Sequence, residues 1–385
     1  MRDVSIIGVG QTPVAEHYGI SLRNLALRAM AAALDDAQVQ DFAALYVGNA
    51  LGGQLSRQEH LGALLTDFAG RHGVEAARLD AGEASGGAAL RQGYIAVASG
   101  MVDVVMVVGV EQATDQPPAA RLEAALGLAD REFEGSQGVT PAVVAGLLMR
   151  RYMHEHGVPL ENFEGFSINA HANGSHNPNA MYRNRLKPGR FARAPMVSDP
   201  VGLFDIAPDG DGAAALVLCP TEMALDLVPQ PVRVSGSALA TDALSLPDRG
   251  ALLTLPAVEL AAGRALAQAG CGVGDVDLFE LHDACTVLTA LQLEALGLAA
   301  PGMGWKPAFD GVIGLDGQIP ISTFGGLKSR GNPLGAVGVY QAVEIALQLR
   351  GQAGANQVEG AQRGLALNLG GAGATAAVHV LERVE

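Results

Sequence analysis

Short apolar runs that end on glycine alternate along this chain with longer segments of helical apolar period, and the alternation occurs twice. Val4–Val9 is a β-branched run closed by Gly10, which reads as a buried strand. Leu22–Leu34 has helical spacing behind Ser21, a residue suited to an N-cap. Ala44–Val47 reads as a strand, Gly82–Gly87 as a turn, Ala88–Ser99 as a helix and Val102–Val108 as a strand. The second series runs through Pro231–Ser235 (strand), Leu255–Ala269 (helix) and Val276–Leu281 (strand). It continues with the glycine-rich loop Ser329–Gly338, the helix Val339–Leu349, the strand Leu365–Leu369, the turn Gly370–Gly373 and a last strand, Ala376–Glu382. Strands alternating with helices predict an α/β fold, with a parallel sheet covered on both faces. The two series divide the 385 residues into halves, 1–228 and 229–385, joined around Pro220–Pro231. Residues 115–195 break the pattern. They begin a helix at Thr140 that runs to His156, then turn polar (HANGSHNPNAMYRNRLKPGRFAR), and read as a long excursion from the first half.

Composition removes several functional classes. Lys and Arg number 25 against 40 Asp and Glu, a net charge of −15, which argues against nucleic acid or anionic membrane as the main partner. The apolar runs are of strand length, below the ~18 residues of a membrane span. MRDVSIIGVG lacks a signal-peptide core, so a cytoplasmic protein is expected. Cys219, Cys271 and Cys285 form no CxxC pair, and the pairs His154/His156 and His171/His176 lack companion ligands, so no metal is expected. Gly is 50 of 385 residues, about twice the usual share, with no collagen period. That excess points to tight turns and close backbone approaches. A phosphate-binding GxxxxGK[ST] loop is missing, and no GxGxxG convincingly marks a dinucleotide site.

Four glycine-rich segments lie at strand or helix ends, where α/β folds place ligands: DAGEASGGAAL (80–90), LFELHDACTV (278–287), GGLKSRGNPLGAVGVYQ (325–341) and LALNLGGAGATAAVHVL at the end of the chain. With RDVSIIGVGQT, LYVGNALGGQLSRQEHLGALL, MRRYMHEHG and PDGDGAAALVL they make the chain similar, over nearly its whole length, to the thiolase superfamily. The resemblance is greatest to the sterol-carrier-type thiolases of archaea and bacteria. It implies a five-layer αβαβα fold of two duplicated halves, a loop domain inserted at about 115–195, and a homodimer. It also implies chemistry on coenzyme A thioesters with no further cofactor required, and in this branch a possible zinc-ribbon/OB-fold partner protein.

The motifs depart from that family's where its covalent chemistry resides. Glu83 stands at the nucleophilic Cys position of the CxSG loop, Asn332 at the His of GHP, and Asn368-Leu369-Gly370 replaces CxG. His282 and Asp283 open an HDAF-type motif, HDAC, with Cys285 one place beyond the Cys of HDCF. A carboxylate is a weak nucleophile towards a thioester and would form a high-energy mixed anhydride. The expected helix N-terminus beside Glu83 favours its ionised form. Asn332 can donate an N–H to an oxyanion but cannot relay a proton. The resemblance therefore implies Glu83, His282 and Asn332 as catalytic residues, with Asp283, Gly370 and Tyr340 in the surrounding loops. Tyr340, at the start of a helix, reads first as packing, with a second base as the alternative; Asp283 reads as orienting backbone or His282, and Cys285 as a less favoured acid or base. Arg183, Arg185, Lys187, Arg190 and Arg193 form an acid-free basic run suited to the phosphates of CoA, or else a solvated face.

Three functions follow. One is carbon–carbon bond cleavage or formation without an acyl-enzyme, of retro-aldol or decarboxylation type. The second is a non-catalytic CoA-binding or scaffolding subunit of the partner complex. The third is a conventional acetyl-CoA acetyltransferase.

Overall fold

The structure is a computed structural model in which residues 2–384 are described. Its strands are β1 (Val4–Gln11), β2 (Ala44–Gly48), β3 (Glu75–Leu79), β4 (Val105–Glu111), β5 (Met196–Ser198), β6 (Val201–Gly202), β7 (Gly212–Pro220), β8 (Val232–Thr241), β9 (Leu278–Glu280), β10 (Arg363–Gly370) and β11 (Thr375–Arg383). β5 and β6 pair with each other. The other nine form one sheet in the order β3-β2-β4-β7-β1-β8-β11-β10-β9. The two flanks of that sheet meet where Ser5 pairs with Arg233 and Ile6 with Val232.

Alternation along the strands divides the interior. On β7, Ala214, Leu216 and Leu218 face a central core while Ala213, Ala215 and Val217 face an outer one. On β10, Leu365, Leu367 and Leu369 face the opposite outer core, and Ala366 faces the centre. Helices Ser85–Ser99 and Val337–Leu349 fill the centre, Leu22–Ala37 covers one flank, and Pro256–Ala269 with Thr286–Ala295 covers the other. With the two flanks of the sheet as separate layers, the succession is helix, sheet, helix, sheet, helix. Val337–Leu349 is buried almost all round, as a helix enclosed between the two flanks of the sheet must be. Leu22–Ala37 lies so close to β1 that a Cβ on Gly8 would fall 2.1 Å from the Ala33 carbonyl oxygen.

One expectation is corrected. The sheet is mixed. β2 pairs in parallel with β3 and β4, and β9 with β10, but β7 and β11 run antiparallel to both their neighbours. β11 follows β10 through the tight turn between Gly370 and Thr375, which forces reversal. The excursion is well built as helices Pro141–His156 and Glu164–Gly174. Leu148, Met149, Tyr152, Phe163 and Phe166 pack this segment, inserted in the first half of the chain, onto the outer core of the second half. Among the described residues no helix is long and apolar enough to cross a membrane.

Candidate active site

Glu83 sits in the turn ahead of helix Ser85–Ser99. Gly82 adopts φ +60°, the Gly82 N–H donates to Asp80 Oδ1 (3.0 Å), and the Ala81 N–H donates to Ser85 Oγ (3.0 Å). The turn lies against the end of β10, where a Cβ on Gly370 would fall 2.2 Å from the Ala81 carbonyl oxygen. Only glycine fits there, which gives Gly370 a packing role.

Asn332 reaches Glu83 from the second half. Its backbone is clamped by residues 208–210: its N–H donates to the Pro208 carbonyl (2.9 Å) and its carbonyl accepts from the Gly210 N–H (3.1 Å). Its Oδ1 accepts from the Leu334 N–H (3.0 Å), which turns Nδ2 towards Glu83 Oε1 at 3.2 Å. His282 follows β9 and is held by Gln292, which accepts from its N–H and donates to its carbonyl, both at 2.9 Å. Its Nε2 lies 3.8 Å from Glu83 Oε2. Three of the residues singled out in the sequence, Glu83, Asn332 and His282, thus converge across 249 and 199 positions of chain.

Burial sets their charges. It pushes the Glu83 carboxyl up to about 7, with the Asp209 charge adding to the rise and the Asn332 N–H opposing it. Beside the expected helix N-terminus, burial thus raises the carboxyl above its ordinary range, against the expectation of a fully ionised group. Burial, with the Arg330 charge, takes the His282 ring down to about 3, so the imidazole is neutral near pH 7. Cys285 is driven up to about 11, mainly by burial, and remains a thiol.

Glu83 and Asn332 open onto a cavity of about 150 Å³. Leu55, Leu128, Val144, Ile206, Leu288 and Leu334 make it largely apolar, and Cys285 also contributes to its wall. Its other charged groups are Asp209 and Arg121, paired at 3.3 Å. Ile206 and Ala207 also line a second cleft of about 500 Å³, with His171, Tyr182, Arg185, Phe204 and Lys328. Of the basic run, Arg185 borders this cleft, held by His176 Nε2 (2.9 Å). Arg183, Lys187, Arg190 and Arg193 are exposed and form no part of its wall.

Tyr340 and Asp283 hold backbone. The Tyr340 hydroxyl donates to the Thr12 carbonyl (2.9 Å) and lies 3.2 Å from Thr12 Oγ1, and burial raises it further above its ordinary range. It packs against Thr12 and does not line the cavity, which goes against the alternative of a second base. Asp283 orients backbone: its Oδ1 accepts from the Leu327 N–H (2.7 Å) and so holds the glycine-rich loop. Sequence reasoning missed Asp209, Arg121 and above all Asn368, which was read only as a missing Cys. Asn368 touches Glu83, His282 and Gly87. The available signal was a carboxamide inside an otherwise apolar strand, where Asn is depleted.

With this geometry in place, the comparisons are consistent with the motifs. Residues 4–192 match the thiolase N-terminal domain and residues 238–383 the thiolase C-terminal domain-like model. The chain belongs to the thiolase family. An acetyl-CoA acetyltransferase of Methanothermobacter thermautotrophicus is 42% identical, covering 100% of both chains. Bovine sterol carrier protein 2 is 28% identical over 96% of this chain and 70% of its own length. Among solved structures, the Ltp2-ChsH2(DUF35) aldolase superposes with a TM-score of 0.86 at 24% identity, over 99% of this chain and 97% of that one.

Proposed function

We propose that the protein acts on CoA thioesters by making or breaking a carbon–carbon bond through an enolate, without an acyl-enzyme. The observation that carries this reading is Glu83 itself, a buried carboxyl raised to about 7, hydrogen-bonded by Asn332 and flanked by the His282 ring at the edge of an apolar cavity. In the retro-aldol direction, the Glu83 carboxylate takes the proton of a β-hydroxyl group. The Cα–Cβ bond breaks, an aldehyde or ketone leaves, and the bonding pair moves through Cα onto the thioester oxygen as an enolate. Asn332 Nδ2–H and His282 Nε2–H stabilise that oxygen. Glu83 then returns its proton to Cα. The negative charge passes from Glu83 to the oxygen beside it, so the pocket's net charge is unchanged through the step. A decarboxylation would use the same oxyanion site.

The neighbouring aldolase structure supports this reading by analogy. Its name also couples it to a DUF35 component, which favours a second protein as partner here. The names of the more identical relatives favour conventional acetyl transfer, but Glu83 and the un-ionised Cys285 both argue against a stored acyl group. Arg185, beside the cleft that shares Ile206 and Ala207 with the Glu83 cavity, is the member of the basic run we assign to CoA.

Mass spectrometry after incubation with acetyl-CoA tests the reading. No acyl adduct is expected on the protein, whereas a β-hydroxyacyl-CoA should release an aldehyde or ketone and the shortened acyl-CoA. A stable adduct on Glu83 or Cys285 would overturn the proposal. CoA-thioester binding with no turnover of any β-hydroxyacyl-CoA or β-carboxyacyl-CoA would favour a binding subunit.

A further inference from the structure

Asn368 lies on β10, one strand in from the β9 edge of the sheet, and every polar atom of its side chain is engaged. Its Oδ1 accepts from the Gly87 N–H at 3.1 Å. A backbone N–H can only donate, so this bond fixes which end of the carboxamide is oxygen. Nδ2 then points the other way, donating to the Glu83 carbonyl at 3.1 Å and standing 3.2 Å from His282 Nδ1. An amide nitrogen has no lone pair to offer, so His282 Nδ1 must be the acceptor. A neutral imidazole carries one N–H, and that proton is therefore on Nε2. Nε2 has no hydrogen-bond partner in the protein and lies 3.8 Å from Glu83 Oε2. Glycines keep this arrangement open. A Cβ on Gly338 would fall 2.3 Å from Asn368 Oδ1 and 2.3 Å from the Gly87 nitrogen.

We infer that Asn368 is a positioning residue: through Gly87 it fixes its own orientation, through His282 Nδ1 it selects the Nε2–H tautomer, and it thereby makes His282 a donor to the thioester oxygen. The catalytic half of this statement rests on the function proposed above. The tautomer itself does not. A chain of two hydrogen bonds from a main-chain N–H decides what a buried imidazole offers the substrate.

The test reads the tautomer directly. The full-length protein carries ring-¹⁵N-labelled histidine, and long-range ¹H–¹⁵N correlations are recorded near pH 7 with His282→Gln used for assignment. Wild type should show His282 protonated at Nε2. Asn368→Asp keeps the shape but places an acceptor against Nδ1, and should move the proton to Nδ1 or protonate both nitrogens. If Asn368→Asp does not fold, Asn368→Ser, which withdraws the contact, should give a mixture of tautomers. On a turned-over CoA thioester, Asn368→Asp should lose about 10²–10³-fold in kcat, as for removal of one oxyanion donor, with KM within about threefold. An Nδ1–H tautomer in wild type, or an Nε2–H tautomer unchanged in the variants, overturns the inference. The expected tautomers in a protein that turns over no CoA thioester would leave the Asn368 assignment standing and count against the proposed function alone.

Discussion

Glu83 and Glu111 are two buried carboxyls that burial drives up to the same value, about 7, yet their surroundings differ in kind. Glu111 ends β4 in a cradle. Its oxygens accept from the Ala50 N–H (2.8 Å), Asn49 Nδ2 (2.9 Å), the Leu51 N–H (3.2 Å) and the Gly335 N–H (3.2 Å). Glu83 has one hydrogen bond, from Asn332, and its second oxygen faces the His282 ring and the cavity. Glu111 ties the 49–51 turn to the 331–335 loop, while Glu83 keeps acceptor capacity unspent beside a space that can admit a ligand. A displaced pKa alone does not mark a reactive carboxylate. Unused hydrogen-bonding capacity directed at a cavity is the better sign.

The largest expected separation is in rate. Glu83→Gln should lower turnover of a β-hydroxyacyl-CoA by about 10²–10⁴-fold, the usual range for loss of a general base, in steady-state assays. In wild type, kcat/KM should climb as Glu83 ionises and level off above about pH 7, and that limb should vanish in Glu83→Gln. A pH-independent rate across this range would remove Glu83 as the base. Stability should respond in the opposite order. Glu111→Ala leaves several buried donors without an acceptor and should cost about 3–5 kcal/mol in denaturant titrations.

Glu83→Gln should instead stabilise. Below pH 4.5 the carboxyl is protonated in both the folded and unfolded chains. As pH rises the unfolded chain ionises first, so the folded state loses ground until about pH 7 and the deficit is constant beyond. A rise from 4.5 to about 7 corresponds to about 3 kcal/mol at most, which the Gln variant should recover at pH 8 and not at pH 4. Equal stability of the two proteins at pH 8 would mean that Glu83 is better solvated than its burial implies. The smallest effect should come from Tyr340→Phe: about 1 kcal/mol of stability for the bond to Thr12, and less than about threefold in rate.

Much of the fold could be read from periodicity. Helices Leu22–Ala37 and Val337–Leu349 and strands β1, β2, β10 and β11 lie within a few residues of their expected places, and Ser21 Oγ accepts from the Asn24 N–H as an N-cap should. The edge strand β3 was not, because EAARL has neither β-branched residues nor a buried face. β7 is hidden in the sequence, since the Ala-rich GAAALVLCP carries little strand signal. For the site, motif position identified Glu83, His282 and Asn332. It could not give the protonation of Glu83, which depends on how much chain covers it. Nor could it show that Asn368 is a partner of His282, because that needs the geometry of three hydrogen bonds contributed by both halves.

Gly338 has no side chain to offer a substrate, and it is fully enclosed between the two central helices. Even so, one added methyl there would displace Asn368, turn the imidazole and loosen the Glu83 loop in sequence. In a mutational survey scored by activity, Gly338→Ala would pass for the loss of a reactive group, although the fault lies in steric spacing. Mechanical tolerance and chemical competence are thus coupled along one line of atoms through the middle of the molecule.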